Sequence, residues 1–142
     1  MNAGFRVPAV QDESLVGTYP ALTKSGGGYV WDAVLEYRVW CHLAEGVEGV
    51  EDGSDYFEAF GTYEEALAFA ERADRADEPI ALVLQEEYID EPEPGRYVHV
   101  LQRRITEWPV AFLRRPRRTA RTIPDFLASD APNRLDELRG LS

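Results

Sequence analysis

The chain is poor in sulfur, with one cysteine, Cys41, and one methionine in 142 residues. A lone cysteine excludes an internal disulfide and any multi-cysteine metal cluster. It suits a reducing compartment. Histidine is nearly as scarce, with two residues, His42 and His99. Two histidines and one cysteine are too few for a zinc centre, so no metal is expected. No apolar run approaches the ~20 residues of a membrane-spanning helix. Residues 1–18 carry one arginine and two acids without a long apolar stretch, which is not the pattern of a secretory signal. Together these absences predict a cytoplasmic protein without a membrane partner.

Lysine is almost missing: fourteen of the fifteen basic residues are arginine. The chain is acidic overall, at −11. Yet seven arginines fall within positions 103–121, namely Arg103, Arg104, Arg114, Arg115, Arg117, Arg118 and Arg121, against one acid, Glu107. Residues 1–102 hold 21 acids and six bases. Such separation of sign concerns partners more than fold. The basic strip must meet an anion: the chain's own acidic body, a second copy, or a separate ligand. The acidic body repels phosphate, so only the strip would suit nucleic acid.

An apolar content of 44% and an aromatic content of 11% predict a folded domain. Residues 1–28, with Pro8, Pro20 and Gly26-Gly27-Gly28, read as a flexible lead-in. Tyr29 to Cys41 alternates strictly, placing Tyr29, Trp31, Ala33, Leu35, Tyr37, Val39 and Cys41 on one apolar face. The other face, with Asp32, Glu36, Arg38 and Trp40, is expected to be partly wet. A strand of this length calls for a bend or bulge. Residues 43–54 are acidic and read as a connection. Residues 55–60 form a second strand.

Thr62 and Glu65 make a capping-box pair, followed by a helix with Tyr63, Ala66, Leu67, Ala70 and Ala73 on one side. Residues 80–89 and 96–108 predict a long antiparallel hairpin turning at Asp90-Glu-Pro-Glu-Pro-Gly95. The expected fold class is α+β. It consists of a four-stranded antiparallel sheet in the order β-β-α-β-β with one packed helix, over residues 29–108. Residues 109–142 form an extended, Arg/Pro-rich C-terminal tail docking on that core. Pro116 bars a regular helix at 114–118. Ile123 to Leu127 is an apolar anchor, and residues 132–138 suit one or two helical turns stopped by Gly140.

Several groupings suggest chemistry and are better explained as structure. Lys24-Ser25-Gly26-Gly27-Gly28 has its lysine and serine before the glycines, the reverse of a phosphate-binding loop. Cys41 and His42 are strand neighbours whose side chains point to opposite faces, so they cannot act on one another. His99 would need a carboxylate to orient it, and the sequence places none. Glu86, Glu87, Asp90, Glu91 and Glu93 suit a solvated hairpin. Trp40, on the polar face, and Trp108, in phase with Val98 and Val100, are candidate exposed aromatics. With Arg103, Arg104, Arg114, Arg115, Arg117, Arg118 and Arg121 they form the candidate surface for a protein partner or an anion, since Trp and Arg dominate binding hot spots. The competing reading folds the tail over that face through Phe112, Phe126 and Leu127.

The stretches Tyr19-Pro-Ala-Leu-Thr-Lys-Ser-Gly-Gly-Gly-Tyr-Val-Trp-Asp32, Glu36-Tyr-Arg-Val-Trp-Cys-His42 and Ile89-Asp-Glu-Pro-Glu-Pro-Gly95 resemble those of small bacterial proteins labelled GCN5-related acetyltransferases. The resemblance spans about residues 19–140 and implies acetyl-CoA as a cofactor. That family grips the pyrophosphate with an [RQ]-x-x-G-x-[GA] turn, whereas this chain has Arg114-Arg-Pro-Arg-Arg118 and no glycine between Arg96 and Arg139. No family site residue transfers by position. The preferred expectation is therefore a non-enzymatic interaction or regulatory module that needs no cofactor and binds an acidic partner or a second copy. A small acetyltransferase is the alternative, and nucleic-acid binding by the tail a third.

Overall fold

A computed structural model describes residues 6–21, 23–25, 27–42 and 55–140. The acidic connection expected at 43–54, and Gly26 of the glycine run, lie outside the described residues. The elements are β1 (Lys24–Ser25), β2 (Ala33–Cys41), β3 (Tyr56–Phe60), α1 (Tyr63–Arg72), β4 (Ile80–Gln85), β5 (Tyr88–Glu93), β6 (Arg96–Val100), β7 (Arg104–Pro109), α2 (Thr122–Ala128) and α3 (Arg134–Leu138). The class is α+β, as the sequence implies. The finer expectation of a single four-stranded sheet needs correction. Among the described residues a five-stranded sheet runs β1-β7-β4-β2-β3, and β5-β6 form a separate two-stranded sheet. All pairings are antiparallel except β1 with β7.

The long hairpin exists but breaks in the middle. Gln85 pairs with Arg104 and, beyond the break, Tyr88 pairs with Val100. Glu86-Glu87 on one side and Leu101-Gln102-Arg103 on the other lie between the two ladders. The upper hairpin thereby leaves the sheet and meets the C-terminal helices.

The first long strand starts at Ala33 rather than at Tyr29. Gly27, Gly28 and Tyr29 hold φ values of 79°, 85° and 51°, which no strand accommodates. Position 28 also requires glycine for space: a Cβ there would meet Gln85 Nε2 at 2.2 Å. The expected bulge is present, with the register shifting between Val34 and Glu36. It reverses the phase of the alternation seen in the sequence. Val34, Tyr37, Val39 and Cys41 join Ala66 of α1, Ala81, Val83 and Trp108 in the main core. Ala33 and Leu35 pack instead with Leu82 and Leu84 on the opposite side.

That opposite side is not wet. Glu36 and Arg38 are both fully excluded from solvent. Residues from the N-terminal segment cover this face, with Tyr19 against the smaller cluster and Gly17 N–H donating to Glu36 Oε1 at 2.8 Å. Val7 and Val10 pack on the main core, and Gln11 N–H donates to the Val34 carbonyl at 2.8 Å.

Helix α1 starts as its sequence dictates. Thr62 Oγ1 accepts the Glu65 N–H at 3.2 Å and its hydroxyl donates to Glu65 Oε1 at 3.0 Å. The tail is more structured than an extended arm. A 3₁₀ turn at Val110–Arg114 buries Leu113 in the main core, and the chain then straightens through Pro116. Ile123, Phe126 and Leu138, from α2 and α3, pack with Val30, Tyr88 and Ile89 in a further cluster. The tail's apolar residues thus dock on the detached hairpin.

Candidate functional site

The seven arginines divide into braces and rim. Arg117 Nε donates to the Asp32 carbonyl at 2.6 Å. Arg118 pairs with Asp32 at 2.7 Å and Glu87 at 3.3 Å, and its backbone N–H donates to the Trp31 carbonyl at 2.9 Å. These bonds pin the tail across the start of β2. Arg104 donates to Gln85 Oε1 at 2.6 Å and lies 4.0 Å above the Tyr88 ring. Arg103, 68% exposed, reaches Glu86 at 3.7 Å. Arg121, 84% exposed, reaches Asp125 at 3.5 Å. Exposed pairs of this kind contribute only ~0–1 kcal/mol, so both side chains can exchange partners at little cost. Arg114 is exposed as well.

Arg115 differs from all of these. It is 8% exposed. Its guanidinium carbon lies 4.1 Å from the Phe112 ring centre, 4.8 Å from Trp108 and 5.5 Å from Tyr29. Its guanidinium makes no ion pair or hydrogen bond with any described residue, although the Trp31 indole N–H donates to the Arg115 carbonyl at 2.9 Å. Burial first, and the nearby Arg139 charge second, lower its pKa to about 10. Arg114, Arg115 and Arg139, with Ala111 and Phe112, line a cavity of about 430 Å³.

Gly140 brings Arg139 to this place. With φ at 75°, it ends α3 against the strip, where a Cβ would lie 2.7 Å from the Arg114 carbonyl oxygen. Arg139 Nη2 donates to Tyr29 Oη at 3.4 Å, and Tyr29 donates to Glu91 Oε1 at 2.5 Å. This Tyr29 bond, with the Gly95 N–H next, holds the Glu91 carboxyl below its ordinary range.

The two candidate tryptophans are not open aromatics in the same sense. Trp108 is fully buried, because β7 is flanked by β1 and β4 and its indole N–H donates to the Gly27 carbonyl at 2.9 Å. Trp40 is half-buried, stacks at 5.0 Å on Phe57 and donates to Glu107 Oε2 at 2.8 Å. Trp40 belongs to a buried charge cluster that sequence reading did not find. Arg38 donates to Glu36 at 2.6 Å, to Glu107 at 3.1 Å and to the Pro20 carbonyl at 2.6 Å, and lies 4.2 Å over Phe57. Every arm of that guanidinium is occupied by the chain itself, which makes the cluster a brace.

The remaining candidates stay apart. Cys41 is buried in the main core, while His42 points outward between Asp77, at 2.8 Å, and Asp55, at 3.0 Å. His99 Nε2 is 3.5 Å from Glu87 Oε1, without hydrogen-bond geometry. No cluster able to hold a metal ion occurs among the described residues. No helix among them is long and apolar enough to cross a membrane.

Searches of family models, curated proteins and solved structures find no match to this chain.

Proposed function

We propose that the protein is a non-enzymatic interaction module that binds an acidic protein surface, on a partner or a second copy, through the C-terminal arginines. One observation carries this reading. Arg114, Arg115 and Arg139 converge on a cavity in a chain of net charge −11, and Arg115 has no acid among the described residues to answer its charge. Arg103 and Arg121 extend the basic rim. Ala111 and Phe112 offer apolar contact in place of the buried Trp108. Electrostatic complementarity of this sort sets specificity and association rate.

The test separates rim from brace. A fluorescent glutamate-rich peptide is titrated with wild-type protein and with the R114E/R121E double variant, which leaves the Arg117 and Arg118 anchors untouched. Saturable binding that the variant loses, at unchanged thermal stability, supports the module. Equal binding by both proteins contradicts it. The same cavity suits a phosphate of CoA, which keeps the acetyltransferase as second reading. Stabilisation by acetyl-CoA without peptide binding would favour that reading.

A further inference from the structure

A buried guanidinium without an acceptor is an expensive arrangement. The Arg115 nitrogens keep only slight contact with solvent and meet no acceptor on a described residue, and polar groups so poorly answered cost stability. Three aromatic rings offset part of this cost through cation–π attraction. They do not supply acceptors. Arg139 adds a second positive charge, although Met or Leu would fill position 115 more cheaply. Sites that sacrifice stability in this manner are commonly kept for a ligand.

The surroundings select the ligand. Ala111 and Phe112 line the cavity together with the guanidiniums, the Phe112 ring centre 4.1 Å from the Arg115 guanidinium carbon. A planar carboxylate matches the edge of an Arg fork with two parallel N–H···O bonds. An apolar body attached to it would lie on Phe112. Phosphate can take the same bidentate bonds but is more strongly hydrated and has no apolar surface to set against Ala111 and Phe112. Arg139 is tethered to the Tyr29 hydroxyl, so its guanidinium is held near the site in the unliganded chain.

We propose that Arg115 and Arg139 form a binding site for a carboxylate borne on an apolar body, such as an aromatic or aliphatic acid group. This deepens the proposed function and rests on it for the biological source of the carboxylate, a partner's acidic side chain or chain end.

Benzoate serves as the probe, benzyl alcohol as its uncharged counterpart and inorganic phosphate as the apolar-free anion. Each is titrated into the full chain while thermal stability and ligand NMR are followed. Benzoate raises the melting temperature saturably, benzyl alcohol does not, and phosphate acts more weakly than benzoate. R139Q weakens benzoate by roughly ten- to a hundredfold, as for loss of one charge-assisted contact. R115M abolishes benzoate binding while its unliganded melting temperature equals or exceeds that of the wild type. Because R115M stays folded, loss of binding is not loss of structure. If R115M melts well below the wild type, the guanidinium is a brace and the site is refuted. Benzoate shifts that persist in R115M, or phosphate equal to benzoate, refute it too. Failure of benzoate with intact, strip-dependent peptide binding removes this site alone. Benzoate binding without peptide binding removes the interaction module and leaves the site.

Discussion

Gly140 stands so close to Arg114 that a Cβ at position 140 would lie 2.7 Å from the Arg114 carbonyl oxygen. The contact fixes where α3 ends and therefore where Arg139 begins. The Gly140→Ala variant combines a positive φ with that clash. Alanine at a positive φ costs about 1 kcal/mol before any steric term. The end of α3 must shift, taking Arg139 with it. The expected result is a lower melting temperature together with weaker benzoate binding. A variant with wild-type affinity would show that Arg139 need not be held where α3 ends.

Arg38 is the structural counterpart of Arg115. Both are buried, but Arg38 has Glu36, Glu107, the Pro20 carbonyl and Phe57 around it. Arg38→Ala leaves Glu36 buried without its cation. Breaking a buried pair in this way costs about 3–5 kcal/mol. Chemical denaturation should show a loss of that size, several times the effect of Arg121→Ala, whose exposed pair contributes ~0–1 kcal/mol.

His42 couples β2 to residues on either side of α1. Its pKa is raised, first by the hydrogen bond to Asp77 and then by that to Asp55. A raised folded-state pKa favours the protonated form. The stabilisation is therefore fully present below the ordinary histidine value of about 6.5 and is lost as pH rises through the higher folded value. Denaturation midpoints measured from pH 6 to pH 9 should fall, and His42→Gln should flatten that part of the profile. An NMR titration of the imidazole gives the direction independently.

Much of the architecture is legible in sequence because it rests on local chemistry. Thr62 and Glu65 announce α1, Pro116 forbids helix in the strip, and the proline-rich run ending at Gly95 announces the hairpin, although its turn narrows to Pro94-Gly95 because β5 runs on to Glu93. The two-faced burial of β2 is less legible. A one-residue bulge at Leu35 reverses the apolar phase, and strict alternation through Tyr29 to Cys41 conceals it. Glu36 and Arg38 then read as a wet face, although two residues apart with opposite charge they are also the signature of a same-face pair. The arginine strip is visible as composition, but its division is not. Arg117 and Arg118 become braces only because Asp32 lies beside them in space. Arg115 becomes a site only because Gly140 delivers Arg139. Such relations span 24 to 86 positions of sequence and leave no local signal. Trp108 misleads for a similar reason: its phase matches Val98 and Val100, but the break at residues 101–103 separates β6 from β7.

The most direct test of the account is the anisotropy titration of a labelled glutamate-rich peptide against wild type and R114E/R121E. The account predicts saturable binding by the wild type, weakened by salt as expected for exposed charges, and its loss in a double variant that melts at the wild-type temperature. No binding by the wild type, or undiminished binding by the variant, would contradict it.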